Sequence, residues 1–425
     1  MNKIGQYFNT FDITRGLSVS FLLSAFIYLH HFGLSYPVLN TALGVLGLSV
    51  LLYSECKTWF WSGLFTGIFW FWWIILSFQH YQMLWAMPIG LFFIALVYGI
   101  IFWSIACLSK KLASLLTPRS SLLTLILKSL GLFGMSYIHP FGFDWFKPEL
   151  LFVESYIGIE KWQFGIVLSA IVLTLSQNRL YPLSLILLAY QPQPKPILFH
   201  DKDIQIVSTS IPVEEKWKET LHPGHFHTFF TQIDKAIASN KKLVILPESV
   251  FPVFINRSGE LIDKLQTYAK KINIVTGGLY ADGSIPRNST YIFSGNRILV
   301  ANKAVLVPFG ESNPLPDFLS DWVNEVFYDG AVDYIASTGV SDYTIEGKTY
   351  RNAICFEATS EILYKDKPDH MVVLSNNGWF TPSIEPTLQK LLLLYYNQKY
   401  GTTIYHSVNM SGSYIIKEGN VIKSD

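Results

Sequence analysis

Two long stretches without a charged side chain constrain this chain more than any other feature. No Asp, Glu, Lys or Arg occurs between Arg15 and Glu55, and none occurs between Lys57 and Lys110. About 20 consecutive apolar residues are enough to span a bilayer, and the helices in the core of a soluble domain are shorter than these stretches. The sequence therefore predicts several membrane-spanning helices in the first part of the chain.

The charge distribution divides the chain into two parts. Residues 1–200 contain 17 of the 63 charged side chains and nine of the twelve tryptophans. The formal net charge is +1, so composition gives no indication of a nucleic-acid partner. We predict a transmembrane helical domain over 1–195 and a second domain over 196–425, joined at the proline-rich segment 191–196. About seven spans are expected, near 17–35, 38–54, 59–78, 85–107, 121–139, 162–177 and 180–190.

Basic residues in the connections predict the orientation, because Lys and Arg concentrate on the cytoplasmic side. With the N-terminus inside, seven basic residues lie in inner connections, and only Lys147 and Lys161 lie in outer ones. Seven spans then place the chain after about residue 195 outside the cytoplasm. Cys355, the one cysteine of that part, has no partner there for a disulfide, which suggests a use for its reactivity.

The second part alternates short β-branched segments with amphipathic helical patterns. This alternation is typical of an α/β or layered α+β domain. The predicted strands are Ile204 to Ile211, Leu243 to Leu246, Ile274 to Leu279, Tyr291 to Phe293, Met371 to Leu374 and Thr402 to Val408, and the predicted helices are 224–239, 258–272 and 384–400.

Cys355 is the first candidate for chemistry. It follows the apolar pair Ala353 and Ile354 and precedes a predicted helix over 358–364. Amides at a helix N-terminus favour a thiolate, which is the nucleophilic form of cysteine. The alternative is a buried and inert cysteine, which is the commoner situation.

Two further polar residues stand beside strand-like segments. Glu248 ends an apolar run, where partial removal from water suits a general base; the alternative is a loop glutamate facing water. Lys303 precedes another apolar run and could stabilise an oxyanion or a thiolate; the alternative is a solvated lysine. Glu311 could orient Lys303 or act as a second acid.

In this order, Glu248, Lys303 and Cys355 resemble the Glu-Lys-Cys triad of the nitrilase (carbon–nitrogen hydrolase) superfamily. Joined to a multi-span half, the pattern resembles the apolipoprotein N-acyltransferase family. The motifs that carry this resemblance are Leu-Pro-Glu-Ser at 246–249, Leu-Val-Pro-Phe-Gly-Glu at 306–311, Ile-Cys-Phe-Glu at 354–357 and Ser-Asn-Asn-Gly-Trp-Phe at 375–380. Lys216-Trp217 and Arg287-Asn288-Ser289 also stand where the family carries related motifs.

The resemblance implies a multi-span α-helical membrane domain followed by an α/β, nitrilase-like αββα sandwich. It implies location in the bacterial inner membrane, with the catalytic domain facing the periplasm. A phospholipid would donate an acyl chain through a cysteine thioester to the N-terminal amine of a diacylated apolipoprotein. No cofactor and no metal are implied.

The resemblance also implies roles for individual residues. Glu248, Lys303 and Cys355 would be catalytic, the Phe356 N–H would share in binding the oxyanion, and Glu311 and Glu357 would be supporting acids. Four further residues are predicted substrate contacts: Trp217, Asn376, Trp379 and Phe380.

Several features leave alternatives open. The family usually carries a further span after the catalytic domain, and the sequence up to Asp425 contains none, so we expect the N-terminal half alone to hold the second domain. The segment 316–328 is either an amphipathic lid or an ordinary core helix. The histidines at 222, 225 and 227 invite a zinc site, but their spacing matches no helical pair or finger pattern.

Two other functions remain as alternatives. A membrane-tethered nitrilase-type amidase would use the same three catalytic residues on a small amide. An inactive membrane scaffold would tolerate the loss of Cys355.

Overall fold

The computed structural model describes residues 9–117, 121–197, 199, 201–315 and 334–423. These residues form two compact units. The first contains the described residues up to Pro140, together with Asp144–Gln193 and Pro382–Leu391. The second contains Phe141–Phe143 and the described residues of Pro194–Thr381 and from Leu392 onward. The single domain boundary after residue 195 remains a proposal.

The first unit is helical. By length and composition, four of its described helices can cross a membrane: Thr10–His31, Cys56–His80, Leu84–Leu116 and Ser121–Gly142. This confirms the predicted multi-span helical domain, whereas the count of seven spans remains a prediction. The regular α-helices are α1 Thr10–His31, α2 Pro37–Tyr53, α3 Cys56–Phe71, α4 Met87–Leu116, α5 Ser121–Gly134 and α6 Lys161–Gln177.

The last predicted span, 180–190, has a different form. Tyr181–Ala189 is a 3₁₀ helix of nine residues. At about 2.0 Å per residue such a helix reaches roughly 18 Å, and the hydrocarbon core of a bilayer is about 30 Å thick. The 3₁₀ helix alone therefore does not cross a membrane.

Lys128, the one charged residue inside α5, neutralises the end of another helix. Its Nζ donates hydrogen bonds to Ser54 O at 2.6 Å and to Leu52 O at 3.3 Å. These carbonyl groups lie at the C-terminus of α2, where a helix carries partial negative charge. The ammonium also lies 5.7 Å from the centroid of the Trp59 ring. A lysine can therefore be buried here.

Two six-stranded sheets are found among the described residues of the second unit. Their orders are β1-β2-β4-β5-β6, with β3 paired to β4, and β12-β11-β10-β9-β8-β7. The strands are β1 Ile204–Ile206, β2 Leu243–Ile245, β3 Phe251–Phe254, β4 Asn273–Asp282, β5 Ile285–Ser294, β6 Arg297–Asn302, β7 Asp342–Ile345, β8 Lys348–Ile354, β9 His370–Asn376, β10 Thr403–Asn409, β11 Tyr414–Lys417 and β12 Asn420–Lys423.

Two hydrophobic layers organise the second unit. One lies between the sheets, where Ile245 and Val275 of the first sheet belong to the same buried cluster as Leu374 of the second. The other lies between the first sheet and the helices α7 His222–Ala238 and α8 Gly259–Ala269.

The outer layer of the second sheet comes from a crossover helix. α9 Glu385–Tyr400 connects the parallel strands β9 and β10. A connection between adjacent parallel strands must pass over one face of the sheet. The layers are therefore helix, sheet, sheet, helix, which confirms the predicted αββα sandwich.

Candidate active site

Glu248 lies just beyond a central strand of the first sheet. β2 ends at Ile245, and two more residues carry the chain to Glu248, which is 8% exposed. Ser249 follows with a φ of 46°, a conformation that costs a non-glycine residue about 1–3 kcal/mol. Gly277 of β4 makes room for this turn, because a Cβ there would lie 2.7 Å from the Glu248 Cα. A strained turn thus holds a buried carboxylate at the end of β2.

Asn288 of β5 joins two carboxylates. Its Nδ2 donates hydrogen bonds of 2.8 Å to Glu248 Oε1 and to Glu311 Oε1. Glu311 belongs to the turn after β6, in which Phe309 has a φ of 61°. The Val307 N–H donates to the other oxygen of Glu311 at 2.9 Å. One amide therefore links two acidic side chains that come from different segments.

Lys303 is almost completely buried and forms an ion pair with Glu311. It is 1% exposed, and its Nζ lies 2.7 Å from Glu311 Oε2. Burial disfavours the ammonium, but the charges of Glu311, Glu248 and Cys355 outweigh this and raise the pKa of Lys303 above its ordinary value. The lysine is therefore a cation at neutral pH, and its charge acts on both Glu248 and Cys355.

Cys355 follows β8 directly and has a φ of 54°. Such strained residues cluster at functional sites. The regular helix predicted over 358–364 is wrong, because two short 3₁₀ helices, Cys355–Thr359 and Glu361–Tyr364, take its place. Turns this short build little macrodipole. The charge of Lys303, rather than a long helix, therefore favours a thiolate here.

Glu357 accepts hydrogen bonds from three main-chain N–H groups. Its Oε1 accepts from Ile354 at 2.8 Å, and its Oε2 accepts from Ala304 at 2.7 Å and from Val305 at 3.0 Å. Burial raises the pKa of Glu357 to about 7, against the opposing effects of Lys303 and the three N–H groups. The carboxyl group thus ties the segment that follows the lysine to the turn that carries the cysteine.

We expect Glu357→Gln to weaken both stability and turnover. An amide has one oxygen, so its NH₂ group would face either the Ile354 N–H or those of Ala304 and Val305. A buried N–H that loses its acceptor costs about 1–3 kcal/mol. We expect a lower melting temperature and at least a roughly tenfold loss of turnover. Thermal unfolding and turnover in detergent measure the two effects, with the exposed Glu260→Gln as the matched control. Wild-type values for both would show that the site does not depend on these hydrogen bonds.

Aromatic rings cover the cysteine turn. The Phe356 ring stacks on Phe143 with a centroid distance of 5.4 Å and an interplanar angle of 20°. Phe141 packs edge-on against Phe309, in the turn that carries Glu311. The segment Phe141–Phe143 belongs to the second unit although it comes from the first third of the chain. Apolar surface therefore lies beside the residue after the cysteine.

The predicted substrate contacts lie in different surroundings. Trp217 is 42% exposed and follows the short helix Val213–Lys216. Asn376 is buried, and its Oδ1 accepts hydrogen bonds from Asn409 Nδ2 at 2.7 Å and from the Gly378 N–H at 3.3 Å. The remaining two, Trp379 and Phe380, are half-buried at the turn after β9. Their roles as substrate contacts remain predictions.

Two further residues of this site belong to motifs that carry the family resemblance, but the sequence alone assigned them no role. Asn288 is a single amide in the middle of a β-branched strand, and only the cross-strand geometry shows that it joins Glu248 to Glu311. Lys216 stands after two glutamates, a pattern typical of a solvated helix, yet it is 3% exposed. Its Nζ donates a hydrogen bond of 2.8 Å to the main-chain O of Glu248. The motifs Lys216-Trp217 and Arg287-Asn288-Ser289 are the sequence signal that points to these residues.

The histidine-rich segment lies at the start of α7. The Nε2 of His222 is 3.1 Å from the main-chain O of Lys216, and its ring stacks on Phe226. In the part of the chain that the structure describes, no three His, Cys, Asp or Glu side chains are grouped as ligands for a metal ion.

The fold defines a membrane protein with an αββα domain. Residues 10–193 match the family model for the apolipoprotein N-acyltransferase integral membrane domain. The apolipoprotein N-acyltransferase of Wolinella succinogenes is 41% identical over 93% of this chain and 93% of its own. The apolipoprotein N-acyltransferase of Helicobacter pylori is 32% identical over 89% of this chain and 87% of its own. That of Campylobacter jejuni is 32% identical over 98% of this chain and 92% of its own. The chain belongs to the apolipoprotein N-acyltransferase family.

One solved structure shows a more distant similarity. A CN-hydrolase superfamily protein from Xanthomonas campestris, determined with an arsenic adduct in its active site, is 15% identical to this chain. The match covers 53% of this chain and 88% of that one, with a TM-score of 0.39.

Proposed function

We propose that this protein transfers an acyl chain from a membrane phospholipid to the N-terminal amine of the diacylglyceryl-cysteine of an apolipoprotein. For a chain of this family, one observation gives the main support for this proposal. A buried lysine, paired with Glu311, acts electrostatically on both a buried glutamate and a strained cysteine. Glu248, Lys303 and Cys355 are the proposed catalytic residues, with Glu311 and Glu357 as supporting acids.

In the first half-reaction, Glu248 accepts the thiol proton of Cys355 as Sγ attacks the ester carbonyl carbon of the phospholipid. The Lys303 ammonium and the Phe356 N–H stabilise the tetrahedral oxyanion. When the intermediate collapses, the carbon–oxygen ester bond breaks, and Glu248 gives the proton to the departing oxygen. The products are a lysophospholipid and an acyl thioester on Cys355.

In the second half-reaction, the amine of the apolipoprotein attacks the thioester carbonyl. Glu248 accepts a proton from the amine, the carbon–sulfur bond breaks, and the proton passes to the departing sulfur. An amide is more stable than a thioester, so this step is favourable. The proposed steps require no metal and no cofactor.

Exclusion of water decides whether such a site transfers or hydrolyses, because water would also cleave the thioester. The stacked rings of Phe143 and Phe356 support this part of the proposal, since they place apolar surface beside the cysteine turn. The segment 316–328, for which the sequence left a lid and an ordinary core helix as alternatives, lies outside the residues that the structure describes.

We place the protein in the bacterial inner membrane with its second unit in the periplasm. The support is the excess of basic residues in the predicted inner connections, which favours an N-terminus in the cytoplasm. The side on which the second unit lies depends on the number of spans, and the following labelling experiment decides it. Asn296 is exposed, which suits it to labelling. A membrane-impermeant maleimide applied to intact spheroplasts should label Asn296→Cys in a background without the native cysteines. Labelling only after lysis would place the second unit in the cytoplasm.

The purified protein in detergent, given phosphatidylethanolamine and a diacylglyceryl-cysteine peptide, tests the function. We expect the peptide to gain the mass of one acyl chain and lysophospholipid to accumulate in equal amount. Release of free fatty acid without peptide acylation would instead define a lipid hydrolase. If neither the peptide nor the lipid changes, while a small amide is hydrolysed to ammonia, the protein is a membrane-tethered amidase.

A further inference from the structure

Lys216 is a buried lysine that the two half-reactions above do not use. It ends the short helix Val213–Lys216 and is 3% exposed. Among the described residues, its side chain makes one hydrogen bond, which Nζ donates to the main-chain O of Glu248 at 2.8 Å. Lysines are almost never fully buried unless they are paired. A buried lysine that donates a hydrogen bond to the proposed general base is therefore expected to have a role in the site.

Three titratable groups on other elements face this residue. Glu248 follows β2, Cys355 follows β8, and His222 begins α7 with its Nε2 near the Lys216 carbonyl O. The charges of Glu248 and Cys355 act on the Lys216 ammonium. The two glutamates of its own helix are exposed to solvent. Lys216 therefore interacts with the general base and the nucleophile rather than with its neighbours in sequence.

Lys303 alone does not balance the acidic side chains of the site. Glu248 and Glu311 are two carboxylates, Glu357 with a pKa of about 7 adds part of a third negative charge, and Lys303 supplies one positive charge. When Cys355 gives its proton to Glu248, the negative charge moves to Sγ, and Lys303 alone still does not balance the negative charges of the site. In a site removed from water, a second positive charge close to both groups stabilises either state. Lys216 is in position to supply it.

We propose that Lys216 is a positioning residue of the acyl-transfer site: it holds the strained Glu248 turn through the carbonyl and supplies the second positive charge for the Cys355 thiolate. This inference rests on the proposed function, because it gives Lys216 a part in the same two half-reactions.

The role has a pH dependence of defined sign. Burial lowers the pKa of Lys216 to about 8, although Glu248 and Cys355 oppose the shift. The required ammonium is therefore present below about pH 8 and is lost as the pH rises through that value. Acyl transfer by the wild type should decline over this range. The arginine of Lys216→Arg keeps its charge at any such pH, so acyl transfer by this variant should decline only at higher pH.

Alkylation of Cys355 by iodoacetamide, followed by intact mass, tests the charge without any lipid substrate. Cys56→Ser and Cys107→Ser in all samples leave one reactive thiol. At pH 7 we expect Lys216→Met to react at least about tenfold more slowly than wild type, because the thiolate loses a nearby positive charge. Lys216→Arg should keep most of the rate. Lys218→Met, two residues along and exposed, is the matched control and should react like wild type.

Turnover completes the test. For Lys216→Met we expect a lower kcat with KM nearly unchanged, since no substrate contact is removed. If Lys216→Met alkylates and turns over like Lys218→Met, the inference is wrong while the proposed function stands. If the wild type transfers no acyl chain but alkylation still depends on Lys216, the proposed function is wrong and the charge assignment is supported. Should Lys216→Met fail to fold, the pH profile of Lys216→Arg decides: an unmoved decline overturns the inference.

Discussion

Replacing Cys355 with serine is expected to abolish the acyl-enzyme. Wild-type protein incubated with phosphatidylethanolamine alone should gain the mass of one acyl chain, and hydroxylamine should remove it as expected for a thioester. A serine hydroxyl fits the same space but is far less acidic than a thiol, so Glu248 cannot ionise it to a useful extent. We expect turnover to fall by roughly 10³-fold or more, which is the usual result of removing a nucleophile.

Cys107→Ser is the matched control for this substitution. It makes the same chemical change in α4 of the first unit, so the adduct and the turnover should both persist. An adduct on Cys355→Ser that forms at the wild-type rate and that neutral hydroxylamine removes as a thioester would place the acyl group on another thiol and would remove Cys355 from the mechanism.

The second large effect is expected at Glu248. Glutamine cannot accept the thiol proton, so Glu248→Gln should slow acylation of Cys355 by about 10²–10⁴-fold, the range attributed to a positioned general base. The fold should be unaffected, because a glutamine oxygen can accept the hydrogen bond that Asn288 Nδ2 now donates to Glu248. Rapid quenching and intact mass give the rate of a single acylation, and thermal unfolding gives the stability.

The exposed Glu214→Gln, on the helix that ends at Lys216, controls for loss of a negative charge near the site. It should acylate at the wild-type rate. If Glu248→Gln also did so, with an unchanged melting temperature, then Glu248 would be a structural residue, and the base would have to be sought elsewhere.

The sequence predicted the main elements of the second unit because their patterns are strong and local. Helices expected at 224–239 and 384–400 are found at His222–Ala238 and Glu385–Tyr400, and the strand expected at Met371 to Leu374 is found at His370–Asn376. The strands β3, β6, β7 and β8 were not predicted, and of these β6 and β7 are edge strands. β6 lacks the alternation, because it exposes Leu299 and Val300 side by side, whereas β7 alternates but is only four residues long.

The site was predictable only in part. Glu248, Lys303 and Cys355 stand beside apolar strand-like segments, which is a local signal. The partners that hold them are long-range: Asn288 reaches Glu248 across 40 residues, and Glu357 reaches Ala304 across 53. Periodicity within one segment contains no information about such contacts. The burial of Lys216 was hidden in the same way, because its sequence neighbours are exposed glutamates.

The membership of Phe141–Phe143 in the second unit has a consequence for modularity. A gene fragment that starts at residue 194 encodes all the described strands of this unit but omits Phe143, the ring that stacks beside the cysteine turn. In turn, Pro382–Leu391 groups with the first unit, so α9 begins in one unit and ends in the other. Each unit thus contains a short segment from the part of the chain that forms most of the other unit. Neither unit is therefore encoded by one continuous stretch of the gene. A chimaera made by exchanging units between relatives would have to exchange Phe141–Phe143 and Pro382–Leu391 as well.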